Sequence, residues 1–546
     1  MPIQFEVKAR DALARSGVFS CNEQKLATPC AVDAGEAFPE LADLRHANVP
    51  LSADPDFVEA YLPDMTGEAS IVHPLGGDAV SGGCAVVANW HTTLADPRAY
   101  VEHLAALRGH VAPDAACYAP AAALPSNACL LAYTGFDLFD YTAVDLMTAR
   151  GMFCTPEGEF PVEEAGEGGC GCPGCESGDL ALHNRFMLNA ECATIRRFIA
   201  RGQMRELMEM RCRMDAAAVS VMRFLDREYV MAEAAAPIVR SSRMLANSAE
   251  SLNRPEIRRF AERICERYRP PRNDIAVLLP CAARKPYSSS QSHQRFVAAV
   301  GGRAHEVIIT SPLGVVPREL EAIYPAGHYD VPVTGYWDRE ECAVLSDILV
   351  RYLRAHPYGR IIAHLEGGAL QVAEMAAEIC GIEMECTVVG HPTSPASLRA
   401  LDEALAGERK GRSSPVAGVL GWQFAKEVET KGMQVKGKPG RRAVMKGKTI
   451  LFNIDDRTGL YKPTFEGWRH LSGYRVEIDD FVPRGDVLAP GVTDADPRIR
   501  AGDEVFVVGP SAIATGRAAM GAAEMIRSRR GVAVKVRKVK CTDDKP

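Results

Sequence analysis

The sequence lacks the features of membrane and secreted proteins. No run of eighteen apolar residues occurs in its 546, so no conventional membrane-spanning helix is expected. The opening Met1-Pro-Ile-Gln-Phe5-Glu-Val-Lys8 has no basic stretch followed by an apolar one, so no secretory signal is expected and the expected location is cytoplasmic. An even cysteine set is missing too. Seventeen cysteines in a long chain argue against a disulfide framework. Cys84, Cys117, Cys129 and Cys380 stand singly in apolar surroundings and read as small core residues.

What is present is ordinary globular material, 47% hydrophobic and 24% charged. The length implies two to four domains with several cores. The net charge of −7 conceals an asymmetry. Lys431–Lys448 holds seven Lys or Arg and no acid, and Arg527–Lys540 again holds seven and none. Two such blocks favour a polyanion contact, with nucleic acid first, over two merely solvated faces. Lys436, Lys438, Arg441, Arg442, Lys535 and Arg537 are the candidate phosphate contacts.

In chain order, Val101–Leu107 reads as helix, Ala128–Tyr133 as strand, and Thr142–Arg150 as helix. Asp140, after the apolar run and before that helix, is either a nucleophile or a helix cap. Cys170-Gly-Cys172-Pro-Gly-Cys175 follows, with His183 eight residues on. Three thiolates and an imidazole make a closed tetrahedral set for a structural zinc, with Cys192 a possible substitute. Residues 184–236 read as one long helical region with a Met- and Leu-rich core stripe, and Arg196, Arg197 and Arg201 on another face meet phosphate or water. No nucleotide cofactor is expected.

Residues 237–412 alternate strand, loop and helix, the pattern of a parallel sheet. Ile275–Leu279 reads as a buried strand running into Pro280-Cys281-x3-Lys285-Pro286-Tyr287-x2-Ser290-x2-His293. A thiol, an amine, a phenol, hydroxyls and an imidazole within one loop and one helical turn make Cys281, Lys285, Tyr287, Ser290 and His293 the catalytic candidates. The alternative is a Ser-rich turn with a helix cap. Ser311–Glu319 reads as a loop, with Tyr329–Gly335 continuing the theme, and the motif is expected to face Thr310–Arg318 and His364–Gly368. Residues 397–415 read as helix and linker, and short β segments dominate from Pro415 on.

These residues carry family resemblances. Val487-Leu-Ala-Pro490-Gly491-Val492, Gly502-Asp503-Glu504-Val505, Gly516-Arg517-Ala518 and Gly531-Val-Ala-Val-Lys535-Val resemble a PUA domain, an RNA-binding barrel. Ala14-Arg15-Ser-Gly17, Thr28-Pro29, Gly135-Phe-Asp137-Leu-Phe-Asp140, the cysteine run and His183-Asn184 resemble tRNA-guanine transglycosylases, whose nucleophile position falls on Asp140. That family's Asp-Ser-Gly-Gly-Phe-Gln run is absent, with Val80-Ser-Gly-Gly-Cys84 a poor stand-in, and the Cys175–His183 spacing is short. The motif at Cys281–His293 is similar to the signature of the archaeosine synthase family, archaeal paralogues of the transglycosylases.

The resemblance implies an α/β multidomain protein. Its parts would be a truncated TIM-barrel-like transglycosylase domain with a zinc site (1–236), an α/β catalytic core (237–412), a small α+β linker domain (413–472) and a C-terminal PUA barrel (473–546). It implies a transferase that adds an amine, lysine in many members, to the nitrile of 7-cyano-7-deazaguanine (preQ0) at position 15 in the tRNA D-loop, with a radical SAM enzyme as a partner. Base exchange through Asp140, and a non-catalytic tRNA-binding subunit, are the alternatives. Whether the chain pairs with itself is left open.

Overall fold

In a computed structural model, the structure describes residues 3–42, 48–62, 69–76, 83–164, 170–240, 242–332, 336–411 and 414–542. Of Val80–Cys84 only Gly83 and Cys84 fall in this range, and residues 333–335 lie outside it. The chain divides into two compact units, Met1–Pro237 with Arg484–Ala501 and Ala518–Lys535, and Ile238–Pro483 with Gly502–Arg517 and Val536–Pro546. Among the described residues no helix is long and apolar enough to cross a membrane.

The first unit contains a five-stranded parallel sheet in the order Cys30–Val32, Leu138–Asp140, Ala116–Tyr118, Cys84–Val86, Ala69–Ile71. Neighbours follow chain order except that the earliest strand joins beside the latest, as in an incomplete barrel. An antiparallel sheet of Gln4–Asp11, Ala14–Cys21 and Gln24–Thr28 precedes it. Pro97–His110 and Thr142–Ala149 are helices, as expected.

Two expectations fail in this unit. Ala128–Tyr133 is a helix, not a strand. All six of its side chains are buried, so its apolar run carries no period to tell helix from strand. The long helical region is four helices, Leu180–Arg201, Met204–Arg211, Ala216–Arg227 and Tyr229–Ala235. Gly202 ends the first in a left-handed conformation, and Asp215 caps the third with its side chain on the Ala217 amide.

The second unit is built on a sheet ordered Gly314–Pro317, His305–Thr310, Ile275–Pro280, Arg360–Ala363, Glu385–Cys386. All pairs are parallel except the one between Gly314–Pro317 and His305–Thr310. Within the expected loop at Ser311–Glu319, Gly314–Pro317 is therefore an edge strand of this sheet. Gly314 makes the turn at φ 72°, where an added Cβ would also lie 2.8 Å from Ile348. Tyr329–Asp330 leaves the main sheet and pairs instead with Met244–Leu245.

Pro415–Phe424 is a buried helix where short β segments were expected. Its run of Val, Leu, Trp and Phe begins with Ser414 capping the Val416 amide and Pro415 at the first turn. A four-stranded antiparallel sheet follows, Met433–Lys436, Ala443–Lys446, Thr449–Ile454 and Tyr461–Pro463. Further on, Arg475–Ile478 runs parallel to Glu504–Val508, which forms a hairpin with Ala512–Ala518. Val487–Leu488 pairs antiparallel with Val532–Cys541.

Candidate functional site

Ile275–Pro280 is the central strand of its sheet and Cys281 follows its last residue. Pro280 registers with Ile309 on one neighbour and Leu278 with Ala363 on the other. One step further, Cys281 stands beside Thr310. Cys281 is exposed, yet enough protein surrounds the sulfur that burial pushes its pKa up, opposed by the Thr310 hydroxyl and the charge of Lys285. Burial pushes the Lys285 ammonium the other way, down, with Cys281 and Asp330 opposing.

Aromatic residues shape this corner. Lys285 Nζ lies 3.9 Å from the centroid of the Tyr329 ring, a cation–π contact worth about 0.5–2 kcal/mol. The Tyr287 and Tyr329 hydroxyls are 2.7 Å apart, and Tyr329 is 2.6 Å from Thr310 Oγ1. Thr310 thereby joins a buried chain of hydroxyls to the sulfur. Tyr287 is fully buried, and burial drives its pKa up, so it stays a neutral phenol.

The other two candidates sit differently. Ser290 caps Gln291–Val300, its Oγ accepting from the His293 amide at 3.3 Å. His293 is fully buried, and Arg318 Nη2 donates to its Nδ1 at 2.8 Å. Burial and the Arg318 charge push its pKa down to about 3. A neutral ring that already accepts from a guanidinium is poorly placed to take a proton from a thiol. Arg318 also binds Glu306 at 2.6 Å and Glu321 at 2.8 Å, while Glu321 accepts from the Ser288 amide. This network holds the start of the helix in place. Thr310 and Arg318 lie in the stretch expected to face this motif, and they do meet it; the local sequence does not single out these two side chains or Tyr329 within their segments.

Asp140 ends its strand, 2% exposed. Its carboxylate accepts from Tyr118 Oη at 2.7 Å and from the amides of Ala121 and Thr142, the latter at 2.8 Å. Both oxygens are engaged by the protein itself, one of them fastening the helix that follows.

Cys170, Cys172, Cys175 and His183 converge in the first unit, all four ligand atoms within 4.8 Å of one another. His183 Nδ1 is 3.5, 3.2 and 3.3 Å from the three sulfurs in order. A tetrahedral ion with bonds of roughly 2.0–2.3 Å spaces its ligands by about these distances. His183 Nε2 donates to the Cys154 carbonyl at 3.1 Å, leaving Nδ1 as the ligand atom. An added Cβ on Gly174 would lie 2.2 Å from the His183 amide, so only glycine lets the turn close on the helix. The donor set and its backbone fit a metal ion. Cys192 is fully buried elsewhere, with its thiol pushed well up by burial, and is not part of the set. Arg196 is committed to the Pro29 carbonyl at 2.5 Å.

Among the basic candidates, Lys436, Lys438, Arg441 and Lys535 are exposed. Arg442 pairs with Asp456, and Arg537 with the buried Glu504, so these two have structural work as well.

A family model described as a domain of unknown function (DUF5591) matches residues 257–405, and a PUA domain model matches residues 474–540. The chain is similar to the archaeosine synthase of Haloferax volcanii, 36% identical with 98% of this chain and 99% of that one covered. It is 41% identical to archaeosine synthase subunit alpha of Methanosarcina acetivorans, over 81% of this chain and 77% of the relative. The tRNA-guanine(15) transglycosylase of Methanothermobacter thermautotrophicus is similar at 27% identity over 74% of this chain and 63% of its own length.

Proposed function

The chain belongs to the archaeosine synthase family, and from that premise we propose that it adds a primary amine, the side chain of lysine, to the nitrile of preQ0 at position 15 of tRNA. It is a tRNA-modifying transferase of archaeosine biosynthesis. The observation that carries the transfer reading is the strand end at Cys281, where a thiol, a hydroxyl chain and a partly buried amine meet.

A nitrile carbon is a modest electrophile. The Cys281 thiolate adds to it, the nitrile nitrogen takes a proton, and a thioimidate results. The amine then adds to the same carbon, the C–S bond breaks, and the thiol is regenerated with a substituted amidine on the base. Thr310 donates to the thiolate and Lys285 offsets its charge. Lys285, with its pKa lowered by burial, carries the proton between sulfur and nitrogen. Tyr287 and Tyr329 hold Thr310 and Lys285 in place. Ser290 and His293 position the helix. A radical SAM enzyme would act on the adduct.

For the rest of the chain, the reading is a transglycosylase-like domain over 1–236, a catalytic core over 237–412, a small domain over 413–472 and a PUA domain over 473–546. A structural zinc on Cys170, Cys172, Cys175 and His183 steadies the first of these. Base exchange through Asp140 is disfavoured because its carboxylate is already engaged on both oxygens.

The test is incubation with preQ0-tRNA and labelled lysine, and with unmodified tRNA and labelled guanine. Lysine incorporation alone supports transfer, guanine exchange supports the transglycosylase alternative, and neither supports a binding subunit. Cys281→Ser transferring lysine at the wild-type rate would eliminate the covalent route.

A further inference from the structure

A small cavity of about 120 Å³ opens in the second unit, lined by Arg240, Arg243, Tyr324, His328, Arg457 and Thr458 among others. Its charged lining is three guanidiniums with no carboxylate among them. Burial and the Arg457 and Arg243 charges push the His328 pKa down, so the imidazole stays neutral. Such a lining suits an anion.

The acids adjoining these arginines are already paired. Arg240 is buried against Glu256 at 2.5 Å, and Arg243 Nη1 donates to Asp330 at 3.0 Å. Asp455 binds Lys462 at 2.8 Å, and Asp456 accepts from Arg442 and from the Gly440 amide. Arg457 is exposed and has no carboxylate partner among the described residues. The turn that carries it is fixed. The Tyr324 amide donates to the Thr458 carbonyl at 3.2 Å, and His328 Nε2 donates to the Arg457 carbonyl. Gly459, at φ 72°, comes so close that a Cβ would lie 2.5 Å from the Ala322 carbonyl. The result is an uncompensated guanidinium on a rigid turn, and its planar fork matches two oxygens of a phosphate.

The neighbouring sheet narrows the choice of anion. Its four strands run antiparallel in chain order, so the turns at 437–442 and 455–460 fall at the same end. Asp456 ties one turn to the other. The first turn carries Lys438 and Arg441, with Lys436 just before it, all exposed, and the second carries Arg457. A free phosphate or a small carboxylate would use the cavity and leave this row of cations idle. A sugar–phosphate backbone uses both, since it presents an anion at every nucleotide. The volume fits one phosphate from a passing strand, being well under the roughly 300–1,000 Å³ typical of pockets for drug-sized ligands.

We propose that this cavity seats one phosphate of the tRNA backbone on Arg457 and Arg243, and that the strand continues over the turn bearing Lys438 and Arg441. The inference rests on the reading of tRNA as substrate, and its test separates the two. Binding of the full chain to preQ0-tRNA is measured across a salt series for the wild type, Arg457→Gln, Arg457→Lys and the double variant Lys438→Gln with Arg441→Gln. Phosphate-ethylation interference is mapped on the bound RNA, and inorganic phosphate is titrated alone.

Arg457→Gln should weaken binding about fivefold near physiological salt and lower the slope of log affinity against log salt by about one, at an unchanged melting temperature. Arg457→Lys should keep the slope and recover part of the affinity. Ethylation of a short run of phosphates should block wild-type binding. Arg457→Gln should lose that block at one phosphate, and the double variant at others in the same run. An Arg457→Gln protein with wild-type affinity and slope, or with the interference pattern intact, overturns the seat while leaving tRNA as the substrate. Inorganic phosphate binding that depends on Arg457, with tRNA affinity unaltered, overturns it in favour of a small-anion site. A wild-type chain that binds no tRNA overturns the substrate reading and the seat with it.

Discussion

At the scale of single residues, the reactive corner is set by opposed shifts. Burial holds Cys281 as a thiol and Lys285 toward the free amine, so making the thiolate is the uphill step. Thr310 acts against that cost. Thr310→Val should move the pH profile of Cys281 alkylation upward and slow it several-fold at neutral pH. An unchanged profile, read with iodoacetamide, would remove Thr310 from the site. His293 makes a separate prediction about stability. Its folded pKa of about 3 lies below the ordinary 6.5. Between those values the unfolded chain binds the extra proton, so this residue's contribution is full above pH 6.5 and is lost as pH falls toward 3. His293→Asn should flatten that part of the stability curve, as denaturant melts at pH 7 and pH 5 would reveal.

At the scale of elements, two short segments are held by very different means. The start of Gln291–Val300 is kept by a serine cap, worth about 1 kcal/mol, and by the Arg318 network. The segment Pro173–Ser177 packs on Leu180–Arg201 through Gly174 and the four metal-type ligands. Its own core is slight, so a bound ion would supply much of its folding free energy. Native protein should contain about one zinc per chain by elemental analysis. Chelation, or Cys172→Ala, should expose this region to protease while leaving the melting of the second unit's parallel sheet nearly unchanged. A metal-free protein with a resistant 170–201 segment would contradict the assignment.

At the scale of the whole molecule, a transferase acting on tRNA needs a chemical corner and also a surface for a polyanion. The hairpin bearing Lys436, Lys438 and Arg441 offers exposed cations that pair with no acid among the described residues. Replacing all three by Glu should weaken tRNA binding by an order of magnitude or more near physiological salt, and reduce the slope of log affinity against log salt. Arg537→Glu differs, because it also strands the buried Glu504; it should lower the melting temperature as well as the affinity. Filter binding across a salt series, with melting curves beside it, distinguishes the two classes.

The sequence by itself determined the parallel-sheet class of residues 237–412, the Cys3His set, the PUA signature and the family, because each lies in local order: strand–loop–helix alternation, close ligand spacing, or a contiguous motif. It also brought five reactive side chains into one short stretch. Only the tertiary structure decided how they divide. Cys281, Lys285 and Tyr287 meet Thr310 and Tyr329, while Ser290 and His293 turn to capping and to Arg318. It likewise made Ala128–Tyr133 a helix and engaged both oxygens of Asp140. The reason is common to these cases. A side chain's task depends on what packs against it: the strand–loop–helix repeat sets Thr310–Arg318 opposite the Cys281 loop, but which of its side chains touch that loop, and that Tyr329 joins them, follows from strand pairing and burial that no local pattern encodes.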